Sequence, residues 1–155
     1  MEQGKTVILY FSHTGRTRKA ARKIAEETGA PLCELRPKKP YPSSYIKHVL
    51  AVKWELWKGT LPELEEAADG WEGYDTVLLG FPIWWFTCPP VIASLLQKGE
   101  WKGKTIYPFC THGGRGPKHA VRDIKRYCPE AAVRECLDAN ELRPEAISRW
   151  LAGTP

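Results

Sequence analysis

Three short stretches carry most of the side chains that could do chemistry in this chain. The first, Ser12-His13-Thr14-Gly15-Arg16-Thr17, places three hydroxyls and a glycine between an apolar run and an amphipathic one. Hydroxyls and free backbone N–H groups at a helix start can surround a phosphate, helped by the positive end of the helix dipole. The stretch is not a Walker A loop, because the Lys-Ser/Thr pair is missing, and it is not a GxGxxG fingerprint. A plain polar turn with a capping hydroxyl fits the same residues. Arg16, Arg18, Lys19, Arg22 and Lys23 crowd the helix start that follows, where cations are electrostatically unfavourable. A bound phosphate would relieve that crowding; a solvated basic face or a nucleic-acid patch are the alternatives.

The second stretch is GFPIWWFTCPP, Gly80 to Pro90, inside an uncharged run from Thr76 to Gln97. That run is long enough to suggest a membrane span, but Pro82, Pro89 and Pro90 would break a helix laid across it, so no membrane insertion is expected. The adjacent Trp84 and Trp85 could stack on a flat ring, with core packing as the ordinary alternative. Two successive aromatics after a strand do not easily point the same way, so at least one should face a crevice. Cys88 reads as a small buried hydrophobe, since a redox role needs an exposed, electropositive setting. The third stretch is Thr111-His112-Gly113-Gly114-Arg115-Gly116. Its glycines let a backbone approach a ligand closely or turn sharply. His112 is a candidate proton donor near neutral pH, or simply an exposed hydrogen-bonding residue.

What must position these loops is an alternation of apolar runs and amphipathic stretches. Strands are expected at Thr6–Phe11, Pro31–Leu35, Asp75–Leu79, Thr105–Cys110 (with Pro108 awkwardly inside) and Val133–Leu137. Helices are expected at Thr17–Thr28, Ser43–Lys58, from Pro89 or Pro90 through Leu96, at Lys118–Cys128 and at Pro144–Leu151. Leu61–Gly73 reads as a loop with a turn of helix. At 155 residues the whole chain, 1–155, is expected to be one domain. Five strands alternating with helices indicate a parallel, doubly wound α/β sheet, whose ligands lie beyond the carboxyl ends of the strands. The three stretches are the loops after strands one, three and four, so together they would build one site.

Composition narrows the rest. Hydrophobic residues at 43% and charged residues at 26% fit a globular chain rather than a disordered one. The five cysteines are odd in number and form no CxxC pair, which argues against zinc ligation and a disulfide framework and for reduced thiols in a cytoplasmic protein. The formal charge of +5 suits anionic ligands or an acidic partner.

The stretches YFSHTGRTRKAA, YDTVLLGFPIWW with its downstream prolines, and PFCTHGGRG followed by a helix ending in CP occur in that order. On them the chain resembles the flavodoxin-like superfamily, in particular its small bacterial flavodoxin-like proteins, over nearly its whole length. The resemblance implies a five-stranded parallel sheet in order 2-1-3-4-5 with helices on both faces and FMN at the switch point. By position, Ser12, His13, Thr14, Gly15, Arg16 and Thr17 would hold the FMN phosphate. Pro82, Ile83, Trp84 and Trp85 would line the isoalloxazine ring, and Thr111, His112, Gly113, Gly114 and Gly116 would cover its other side or edge. The family often has Asn where Arg16 stands, so backbone amides would do that work here, and similar proteins tolerate proline in the strand of Pro108.

Flavodoxins proper are one-electron carriers and tend to be strongly acidic, unlike this chain. In many of them a glycine peptide beside flavin N5 flips to hydrogen-bond the one-electron-reduced flavin. Residues 81–90 contain no glycine, and φ > 0 would be costly for residues such as Trp84 or Phe86. An FMN-dependent oxidoreductase is therefore expected, passing two electrons from a reductant such as a nicotinamide cofactor to a quinone or similar small acceptor. The alternatives are a one-electron carrier serving an acidic redox protein and a non-redox module with a basic helix, although no nucleic-acid motif is visible. Trp54 and Trp57 read as core, or as cover for a homodimer contact.

Overall fold

The apolar runs pair side by side, all in parallel. In the computed structural model, β1 (Thr6–Tyr10) lies between β2 (Leu32–Glu34) and β3 (Thr76–Pro82). β4 (Thr105–Thr111) follows β3, and the outermost position is shared by two short segments, β5 (Ala132–Val133) and β6 (Leu137–Asp138). The spatial order is β2-β1-β3-β4-β5, as the resemblance implies, with the fifth position split. The structure describes residues 5–39, 41, 47, 50, 51, 53, 62–65, 71–85, 87–114, 117–140 and 142–153. The helix expected at Ser43–Lys58 falls mostly outside them, Trp54 and Trp57 included, as do Phe86, Arg115 and Gly116.

Strand side chains alternate between two cores, as the period of 2 requires. Ile8, Tyr10, Leu78 and Phe109 pack on one face against α1 (Arg16–Thr28) and the last described helix, α4 (Pro144–Leu151). Val7, Leu9, Val77, Leu79, Phe81 and Ile106 pack on the other face against α2 (Pro90–Lys98) and α3 (Lys118–Tyr127). α1 buries Ala20, Ala21 and Ile24 along one stripe and ends at Gly29, whose φ of 72° suits glycine and whose N–H donates to Ala25 O. α2 opens on Pro90, where a missing N–H costs nothing. Burying a leucine or isoleucine on these faces contributes about 1.5–3 kcal/mol each. Among the described residues, no helix is long and apolar enough to cross a membrane.

Two strands depart from expectation, and proline accounts for both. β3 does not stop at Leu79 but continues through Gly80, Phe81 and Pro82, paired with Phe109, Cys110 and Thr111 of β4. Gly80 presents its backbone to the β1 side, accepting from Phe11 N–H at 3.0 Å. Pro82, two residues on, faces the same side, beyond the last residue of β1, where no donor is needed. The fifth strand, in contrast, is broken at Arg134–Cys136. Ile106 O accepts from Arg134 N–H and Cys110 O from Ala139 N–H, both at 2.8 Å. The residue of β4 between them on that edge is Pro108, which has no N–H to give, and the break falls opposite it.

Candidate functional site

The carboxyl ends of β1, β3 and β4 are stitched together, and their loops with them. Ile83 N–H donates to Thr111 O at 2.8 Å, joining the second loop to the third. The buried hydroxyls of Thr17 and Thr111 meet at 2.9 Å, joining the first loop to the third. His13 and Trp84 touch edge to face at 5.7 Å between ring centroids, closing the first loop on the second.

The first loop is a backbone cradle. Gly15 sits at φ 97°, a left-handed conformation that lets the chain turn into α1. Ser12 Oγ accepts from Gly15 N–H at 3.1 Å and from Arg18 N–H at 3.2 Å, so the capping expectation is met by Ser12. Among the described residues, the N–H groups of Thr14, Arg16 and Thr17 have no protein acceptor. The first turn of α1 carries no acidic side chain, which leaves its positive end uncompensated.

The basic crowd at this helix divides. Arg18 turns toward β2 and pairs with Glu34, which also pairs with Arg36 at 2.7 Å. Burial works to raise the Glu34 carboxyl, but the hydrogen bonds and charges of Arg18 and Arg36 prevail and hold it below the ordinary value. A depressed folded value means stabilisation that is present above the unfolded value of about 4.3 and is lost as pH falls through the folded one. The urea midpoint of the protein should therefore fall more between about pH 6 and pH 3 than that of Glu34→Gln. Equal falls would remove this pair from the acid sensitivity. Beside these charges, Phe11, Ser12, His13, Pro37 and Tyr41 line a cleft of about 290 Å³.

The paired tryptophans separate. Trp84 is half-buried and packs near-perpendicular against Phe11 and Tyr41 at 5.3 and 5.2 Å. Trp85 is 42% exposed, with Lys53 Nζ 5.5 Å from the centre of its ring. A tight hairpin produces the split: Trp84 N–H donates to Thr87 O at 2.9 Å and Thr87 N–H to Trp84 O at 3.1 Å. Trp85, just inside the turn, takes φ 50°, alone in the left-handed region among the described non-glycine residues. Such a conformation costs a bulky residue on the order of 1–3 kcal/mol and recurs at functional sites. Thr87 Oγ1 donates to Asp123 Oδ2 at 2.6 Å, and Arg126 holds Asp123 Oδ1 at 2.9 Å, which pins the hairpin to α3. Cys88, just after it, is buried, and burial pushes its thiol up to about 12, so it stays protonated and inert as expected of a packed cysteine.

The third loop is latched to the β6–α4 connection. Asn140 Oδ1 accepts from His112 N–H at 2.9 Å and Asn140 Nδ2 donates to His112 O at 2.8 Å. Gly114 N–H donates to His112 Nδ1 at 3.0 Å, and His112 Nε2 lies 2.9 Å from Asp138 Oδ2. An Nδ1 that accepts an amide hydrogen places the ring proton on Nε2, directed at Asp138. Both ring nitrogens of His112 thus take part in holding the loop, in keeping with the hydrogen-bonding reading of this residue. Burial works to raise the Asp138 carboxyl, and the His112 and Asn140 hydrogen bonds lower it more. Asn140, Asp138 and Asp123 escaped the sequence reading. Asp-Ala-Asn after a strand is a turn signal that could have pointed to the first two.

Known proteins share this fold. The flavodoxin family model matches residues 5–153. An uncharacterized protein of Archaeoglobus fulgidus is 28% identical over 159 residues, covering 93% of this chain and 97% of that one. Among solved structures, a candidate flavoprotein of Bacteroides eggerthii matches at a TM-score of 0.89 and 29% identity over 97% of each chain. A Lactobacillus acidophilus flavoprotein solved in complex with FMN shares the fold at a TM-score of 0.81 and 23% identity, over 96% of this chain and 99% of that one.

Proposed function

Because the chain belongs to the flavodoxin family, we propose that it binds FMN and works as a two-electron oxidoreductase on a quinone or similar small acceptor, reduced in turn by a small donor such as a nicotinamide cofactor. When bound, FMN supplies the redox chemistry; the protein's share is placement and tuning. Three N–H groups without acceptors, at Thr14, Arg16 and Thr17, flanked by hydroxyls and by no carboxylate, fit one terminal phosphate. The exposed ring of Trp85 is available to a flat ligand, while Trp84 supports the loop from beneath. Five free cysteines support a cytoplasmic setting.

The two-electron reading rests on the hairpin of Trp84 to Thr87. A carrier that stabilises the half-reduced cofactor by a peptide flip needs a residue that can follow the flip. Trp85 is already at φ 50°. Turning the next peptide over at that φ would carry it out of the left-handed basin into one that essentially only glycine visits. Both ends of the hairpin are hydrogen-bonded, so the turn has little freedom to relieve the strain elsewhere. Anaerobic titration of the FMN-loaded protein with dithionite should pass from oxidised to fully reduced flavin without a long-wavelength intermediate. A blue one-electron-reduced species in stoichiometric amount would overturn the reading in favour of a carrier.

The two tryptophans should respond differently to the same change. Trp85→Phe should weaken FMN binding by up to about tenfold and alter flavin fluorescence quenching, since stacking is worth about 0.5–1.5 kcal/mol beyond buried area. Trp84→Phe should cost roughly 1–2 kcal/mol of stability through repacking against Phe11 and Tyr41, with affinity unchanged. Fluorescence titration beside thermal unfolding separates the two, and the reverse pattern would give the stacking role to Trp84.

A further inference from the structure

We propose that a second anion site lies in the cleft between α1 and the β6–α4 connection, taking a nucleotide-sized ligand with at least two phosphate groups. The cleft measures about 370 Å³, in the range that holds small molecules. Arg16, Lys19 and Lys23 line one wall from a single face of α1, and Arg143 faces them from the start of α4. Among the described residues none of these four cations has a carboxylate partner. Arg18, on another side of the same helix, is paired, as are Arg122 and Arg126.

The arrangement is unfavourable without a ligand. Like charges three and four residues apart on a helix repel, by about 0.2–0.5 kcal/mol per pair. Arg16 is the first residue of α1 and Arg143 occupies the N-cap position of α4, so two cations sit at positive helix ends that open on one cleft; the first turn of α4 carries Glu145, that of α1 no acidic residue. Asn140 Oδ1 accepts from Arg16 Nη2 at 3.3 Å and holds the guanidinium at the mouth. An anion neutralises all of this at once, and arginine's fork suits phosphate oxygens.

Size and lining define the ligand class. From Arg16 to Lys23 the cations span about 10 Å of helix axis, longer than one phosphate and suited to a diphosphate or to phosphates at two ends of a nucleoside. Ala20, Ala139 and Leu142 give the cleft an apolar floor on which a sugar or base can lie. The concavity favours a small molecule over the broad face of an acidic protein. The cleft adjoins the cradle of the first loop without coinciding with it: Arg16 belongs to both, and Thr111, bonded to Thr17, lines the cleft from the third loop.

Calorimetric titration of the FMN-saturated protein with ADP, and separately with inorganic pyrophosphate, tests the proposal. Saturable one-to-one binding of ADP is expected at physiological salt. The double variant Lys23→Gln/Arg143→Gln should weaken it at least about tenfold, as loss of two charge-assisted contacts would. Its FMN affinity should stay unchanged, which also verifies the fold. The proposal fails if ADP binds only when FMN is absent, if the double variant binds as well as the parent, or if sulfate at equal ionic strength competes as well as pyrophosphate. Binding of a Glu-rich peptide with no binding of ADP would overturn it in favour of a protein-docking surface.

Discussion

Replacing Gly80 by alanine is expected to destabilise the protein by about 3 kcal/mol, near the upper end of overpacking costs in cores. A Cβ at this position would lie 2.2 Å from Cζ and 2.3 Å from Cε2 of Phe109. Gly80 and Phe109 are register partners in the two central strands, so neither backbone can withdraw without breaking the ladder. The Phe109 ring is fully buried and meets Trp150 edge to face at 6.0 Å, which closes its retreat toward α4. At roughly 2–4 °C per kcal/mol for a chain of this size, the thermal midpoint should fall by about 6–12 °C. The second variant of the cycle, Phe109→Leu, removes the ring edge that clashes. In the pair Gly80→Ala/Phe109→Leu the glycine substitution should then cost far less than it does alone. Additivity within about 0.5 kcal/mol would show that the ring is not the origin of the effect.

Gly80 also illustrates what could be read from the sequence. The apolar periods were legible: Ile8 and Leu78 face one core and Val7 and Val77 the other because β-strand alternation leaves no other choice once both faces are covered. The placement of the three loops followed from chain order alone. What periodicity does not carry is which edge each backbone group faces. Pro108 read as an obstacle to its strand and Pro82 lay beyond the expected end of another, yet each sits in a strand where the neighbouring position offers no partner for a missing N–H. The site was legible in the same partial way. Ser12 to Thr17 stood out through hydroxyls and glycine, whereas for Asn140 the sequence offers only a turn signal, and its grip on His112 and Arg16 follows from β6 lying beside β4. The left-handed Trp85 runs against the sequence argument that such a conformation is too costly in this loop. The cost is borne because the Trp84–Thr87 bonds and Asp123 over-determine the turn.

The Thr17–Thr111 pair yields the other large effect. Thr17→Val and Thr111→Val are each expected to cost about 1–3 kcal/mol, whereas the double variant should lie close to the parent. The two hydroxyls meet at 2.9 Å between a residue of the first loop and the last residue of β4, and both side chains are buried. Removing one leaves the other buried without its partner, which is the expensive outcome; removing both leaves two methyl groups of similar shape in contact. FMN affinity supplies a second, independent readout. If the bond acts only by fixing the cradle on β4, the double variant should recover affinity along with stability. If the Thr17 hydroxyl also touches the phosphate, stability should return and affinity should not. Single variants within about 0.5 kcal/mol of the parent would mean that water satisfies the remaining hydroxyl, and that the first loop is held over β4 by its backbone and by the His13–Trp84 contact instead.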